Sequence, residues 1–123
     1  MRLENRYYSI IGIDRQNDTS AVCHVELLPD CEVYRGHFPG EPVCPGVCNM
    51  QMIKECAEAV VGKSLHQSSV SQCRLTSLMT PVQCSALDVR VDILSASDTS
   101  CTIKATISDC HDTYMEYKGE MTV

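Results

Sequence analysis

GVCNMQMIKECAEAVV, residues 46–61, is the stretch of this chain with a sustained helical period. Val47, Met50, Ile53, Ala57 and Val60 recur at spacings of three and four, which lays them along one helix face. Cys56 and Val61 widen that face. Gln51, Glu55 and Glu58 form a neighbouring polar stripe with Lys54 beside it, which reads as a solvated face or an intersubunit contact. Pro45 precedes the first turn, where a missing N–H costs nothing. Gly62 stands where a left-handed C-terminal cap belongs, and Lys63 follows it at the negative end of the dipole.

Outward from this helix the chain reads as strands. Upstream, residues 7–15 are rich in β-formers and residues 16–19 are turn-forming. Residues 20–28 then alternate, with Ala21, Cys23, Val25 and Leu27 on the apolar side, so the pair reads as a hairpin. Residues 33–34 are a short extended piece. Downstream, residues 68–78 form a candidate strand broken by Pro81. Residues 86–95 alternate, with Leu87, Val89, Val91 and Ile93 inward. Residues 102–108 do the same through Ile103, Ala105 and Ile107. Residues 113–123 set Met115, Tyr117 and Met121 against Tyr114, Glu116, Lys118 and Glu120. The order is β-β-α-β-β-β-β. One helix cannot cover such a sheet from outside while each strand keeps a single apolar face. A curved antiparallel sheet of about six strands wrapped around the helix satisfies both, an α+β architecture in one domain over residues 1–123.

Bulk composition narrows the function. The net charge is −6, and the ten basic residues never adjoin one another. Nucleic acid and anionic membrane both need a basic face, so neither is expected as a partner. The nine cysteines are odd in number, irregularly spaced and without a CxxC pair. With no apolar leader in the first residues, this suits a reducing, cytoplasmic setting in which cysteine serves as a small hydrophobe. No segment approaches membrane-spanning length. His37, Cys44 and Cys48 lack the second tight ligand pair that zinc needs, so no metal is expected.

Residues 36–47, GHFPGEPVCPGV, hold two Gly-Pro turns around a single histidine and lead into the helix. This segment resembles the hydroxyacyl-thioester dehydratases of the hotdog fold, the FabA/FabZ type, with their ApeI-like branch among the candidates. Gly36, His37, Phe38, Pro39, Gly40, Pro42, Val43, Pro45, Gly46 and Val47 all match that family's motif. The resemblance implies a hotdog fold and dehydration of a 3-hydroxyacyl thioester on an acyl carrier protein to a trans-2-enoyl thioester, without a cofactor. It implies that His37 is the catalytic base, oriented by the Val43 carbonyl, and that the Gly46 N–H receives the thioester oxygen. It also implies a homodimer, or a hetero-oligomer of hotdog subunits, because each tunnel takes a helix residue from its partner.

That residue falls at position 51, where the family has Glu or Asp and this chain has Gln51. An amide holds a water or hydroxyl but does not titrate, which points to a divergent, specialised lipid or polyene pathway. Glu55, one turn along, is the nearest carboxylate by sequence that could replace the missing acid, and Glu41 in the loop is a second candidate. Phe38, Val43, Val47, Asn49 and Glu55 are the candidate substrate contacts, and Cys44 and Cys48 read as tunnel lining or core. His24, His66 and His111 have no comparable context. Arg35, Lys54, Lys63 and Arg74 could meet an acidic carrier protein. Two other readings fit the scaffold: an acyl thioesterase, and an acyl-binding subunit that has lost the chemistry.

Overall fold

The computed structural model describes residues 2–35 and 43–123. Its order is β1 (Tyr8–Arg15), β2 (Ser20–Leu27), α1 (Gly46–Val61), β3 (His66–Leu75), β4 (Ala86–Ala96), β5 (Ser100–Ser108) and β6 (Thr113–Thr122). All six strands belong to one sheet in the order β1-β2-β4-β5-β6-β3, and every neighbouring pair is antiparallel. The expected six-strand antiparallel sheet with one helix is therefore the observed fold.

The alternation of the central strands explains the layering. Ala21, Cys23, Val25 and Leu27 of β2 are buried, as are Leu87, Val89 and Val91 of β4. Cys101, Ile103, Ala105 and Ile107 of β5, with Met115, Tyr117 and Met121 of β6, complete that apolar surface. Against it lies α1, which contributes Met52, Ile53, Cys56 and Ala57 to the same core. The nine cysteines are all free, and six of them are buried, as small apolar residues would be.

The helix begins and ends at the residues expected. Gly62 adopts φ 81°, ψ 22°, and its N–H donates to the Glu58 carbonyl at 2.7 Å, closing the last turn. The buried face, however, is rotated from the one the apolar spacing selects. Val47 is 67% exposed, and Met50 and Val60 are only partly buried. Cys48, Asn49, Met52 and Glu55 point inward instead. Glu55, which the periodicity assigned to the polar stripe, is thus buried with hydrogen-bond partners, and so is Asn49. The strand expected over 68–78 runs from His66 to Leu75 instead, and the piece at 33–34 is part of a turn of 3-10 helix over Glu32–Tyr34.

Candidate active site

Gly46 is the first residue of α1, and no described side chain caps that end. The Cys48 and Asn49 N–H groups both donate to the Pro45 carbonyl at 3.1 Å, which tightens the first turn. The N–H groups of Gly46 and Val47 lead the helix and have no acceptor within it, as at any helix start. With the positive dipole end they form a place where a developing oxyanion is stabilised. A cavity of about 270 Å³ opens beside this end, lined by Val43, Cys44, Asn49, Leu75, Leu78 and Met79 among others. The Cys44 N–H donates to the Met79 carbonyl at 2.8 Å, which fixes the chain just ahead of the helix. Val43 and Asn49, two candidate substrate contacts, thus meet at the cavity, while the Val47 side chain is turned to solvent. His37, Phe38 and Glu41 lie outside the described residues.

Gln51 sits five residues into α1, and its amide Nε2 donates to Glu55 Oε2 at 2.8 Å. Glu55 is 1% exposed, so the expectation of a solvated carboxylate is corrected. Its two oxygens accept four hydrogen bonds. Oε1 takes the Glu4 N–H at 2.8 Å and the Tyr8 hydroxyl at 2.9 Å. Oε2 takes the Leu3 N–H at 2.8 Å together with Gln51. A buried carboxylate is tolerated on these terms, because every strong acceptor site has a donor. Glu58 is likewise engaged rather than solvated: Oε1 meets Arg2 at 3.1 Å and Oε2 accepts the Leu65 N–H at 2.9 Å.

The tyrosines were the unforeseen part of this neighbourhood. The Tyr7 hydroxyl donates to Asn49 Oδ1 at 2.7 Å, and the Tyr34 hydroxyl lies 3.5 Å from Cys44 Sγ. Burial, above all, pushes the Tyr7 and Tyr8 hydroxyls far above their ordinary range, so both remain donors throughout the physiological range. Burial also raises the Cys44 and Cys48 thiols, which suits lining residues better than nucleophiles. The adjacent pair Tyr7-Tyr8 in a chain with only six aromatic residues was the signal available in the sequence.

The chain is similar to known proteins in both sequence and fold. The family model described as "ApeI-like: ApeI dehydratase" matches residues 13–114. A 3-hydroxyacyl-[acyl-carrier-protein] dehydratase FabZ of Levilactobacillus brevis is 24% identical over 119 residues, covering 88% of this chain and 79% of that one. Among solved structures, the dehydratase heterocomplex ApeI:P of Xenorhabdus doucetiae is similar with a TM-score of 0.72 at 18% identity, over 93% of this chain and 96% of that one. A hypothetical thioesterase with coenzyme A from Streptococcus pneumoniae is similar with a TM-score of 0.65 at 12% identity, over 94% and 84% of the two chains. At these identities the structural likeness speaks for the fold.

Proposed function

Because the chain belongs to the ApeI-like dehydratase family, we propose that it dehydrates a 3-hydroxyacyl thioester, carried on an acyl carrier protein, to the trans-2-enoyl thioester. The observation that carries this reading is the family match itself. It spans the segment from His37 through the helix start at Gly46 to Gln51. The thioester carbonyl is received by the N–H at the head of α1, which acidifies the neighbouring α-carbon by stabilising enolate-like charge. His37 takes the α-proton, the C3–O bond breaks, and the hydroxyl leaves as water.

That water needs a proton, and the amide of Gln51 has none to give. In our reading the imidazolium of His37 returns the proton it has just removed, which balances the step and resets the enzyme. Gln51 holds the departing hydroxyl in place. A site with one titrating group in place of two gives up part of the 10²- to 10⁴-fold that a second acid supplies, so slow turnover is expected. The cavity at the head of α1 is small for an acyl-binding site, and its flank is open at Leu75 and Leu78, which are 65% and 68% exposed. A second hotdog subunit completes it, as a homodimer or a heterocomplex.

The test is incubation of the protein with 3-hydroxyacyl and saturated acyl thioesters. Enoyl absorbance that disappears, by at least about 10²-fold, in His37→Ala supports the proposal. Release of free thiol identifies a thioesterase, and binding without turnover identifies an acyl-binding subunit.

A further inference from the structure

We infer that the side-chain amide of Asn49 donates to the ligand's thioester carbonyl alongside the N–H at the head of α1, and that Tyr7 is the positioning residue that sets which edge of that amide meets the ligand. The class of ligand rests on the dehydratase reading of the site. Asn49 is 1% exposed and lines the cavity beside the helix start. Its Oδ1 accepts the Tyr7 hydroxyl at 2.7 Å. Its Nδ2 has no hydrogen-bond partner among the described residues. Nor is that nitrogen sealed in, since among those residues the enclosed side-chain polar atom without a partner is the Tyr117 hydroxyl. The donor edge of the amide is therefore open to the cavity that Asn49 lines.

Tyr7 fixes this orientation. Its other neighbours are the Tyr34 ring, 6.0 Å away between centroids, and the Cys44 thiol. A thiol is a weak acceptor and an amide oxygen a strong one, so the Tyr7 proton goes to Asn49 Oδ1 and Nδ2 is left for the cavity. There Val43, Leu75, Leu78 and Met79 offer it no acceptor side chain. The Thr76 hydroxyl is spent on the Thr113 carbonyl. A ligand oxygen is what pairs this N–H. The helix decides which oxygen. Helical side chains lean toward the N-terminus, so Asn49 covers the turn that begins at Gly46. Gly46 borders the same space, since a Cβ there would lie 3.8 Å from Cδ1 of Leu75, a lining residue. The carbonyl oxygen received at the helix head is thus the one that Nδ2 meets. That oxygen gains charge as the α-proton leaves, which strengthens both donors at the transition state.

The test compares a saturated acyl pantetheine thioester with the thioether of equal length, which lacks the carbonyl, as ligands of the full chain. The wild type should bind the thioester more tightly. Asn49→Leu should weaken thioester binding about tenfold and leave thioether binding unchanged. Tyr7→Phe, which frees the amide to turn, should weaken the thioester by a smaller factor and again spare the thioether. Equal losses on both ligands, or an unchanged thioester affinity in folded Asn49→Leu, overturns the proposal. An unchanged affinity in Tyr7→Phe removes Tyr7 from it. If the variants do not fold, the wild type still decides. The chain has three asparagines, and Asn5 and Asn17 are exposed. In protein labelled at the asparagine amides, the slowly exchanging pair of Asn49 should move downfield with thioester and stay in place with thioether. The same response to both ligands overturns the proposal. Failure to form any enoyl product would instead count against the dehydratase reading, while the thioester preference would still test Asn49 by itself.

Discussion

Gly46 has no side chain, yet nothing in the packing of the described residues asks for that. Among the described residues a Cβ built there meets the Leu75 Cδ1 at 3.8 Å, an ordinary contact. A glycine there leaves room for something that approaches the helix end from outside, as a thioester would in the proposed mechanism. Gly46→Ala should leave the thermal midpoint unchanged or slightly raised, since alanine is the better helix former. Dehydration should fall by about 10- to 100-fold, because a methyl displaces the acyl group by roughly its own radius. A thermal melt and an enoyl-forming assay on the same sample check both halves. A second residue to test is Tyr117. Its hydroxyl is buried and has no hydrogen-bond partner among the described residues. Leaving such a group unpaired costs about 1–3 kcal/mol. Tyr117→Phe should thus be neutral or stabilising by about 1 kcal/mol in urea denaturation.

At the scale of elements, the seam between β3 and β6 is the tightest point. A Cβ at Gly119 would lie 2.6 Å from the Ser69 carbonyl oxygen and 2.7 Å from the Tyr117 hydroxyl. The first of these is backbone, so β3 itself would have to shift. Gly119→Ala should destabilise by about 1–3 kcal/mol through overpacking, with the urea midpoint lowered and the slope unchanged. The turn joining β5 to β6 offers a pH test. Asp109 accepts the Tyr114 hydroxyl at 2.6 Å and the His111 and Asp112 N–H groups at 2.8 and 2.9 Å. The Tyr114 bond, first, and these backbone donors hold its carboxyl below the ordinary aspartate range. A carboxyl lowered on folding stabilises at pH above its unfolded value and ceases to do so as pH falls through its folded value. Asp109→Asn should therefore lose stability at neutral pH and show a shallower decline below about pH 4 than the wild type.

These elements also show what the sequence made legible. The limits of α1 were readable because caps are local: Pro45 before, Gly62 after. The inward faces of β2, β4, β5 and β6 were readable because alternation is local too. The neighbouring of β6 and β3 was not, since pairing between segments so far apart in the chain leaves no trace in either of them. Gln51 stood out through the resemblance of residues 36–47. The engagement of Glu55 was invisible because three of its four donors lie 47 to 52 residues away and two of them are backbone N–H groups. Read by periodicity alone, a polar residue beside other polar residues belongs to the solvated face. Only the partners reveal that it is buried.

For the whole molecule, the decisive feature is the edge at β3, which is free among the described residues. This strand is ten residues long, ends the sheet beside β6, and is exposed along all but one position. Residues 67–73 carry no charge, and Val70 and Leu75 are 41% and 65% exposed. A monomer normally guards such an edge with lysine, proline or a covering loop, because unpaired strand groups recruit other chains. The two register shifts against β6 twist the edge but leave it open. Pairing with β3 of a second subunit would satisfy those groups and bring the partner's α1 toward the open flank of the cavity at Leu75. Light scattering at micromolar concentration should then return twice the chain mass. Val70→Lys, which sets a charge in the middle of the edge in both copies, should shift the protein toward monomer with its circular dichroism intact. Dehydration should fall in parallel with dimer content and recover as concentration rises. A monomeric wild type with full activity would show that one chain builds the whole site, and the small cavity beside Gly46 would then have to accommodate the acyl chain alone.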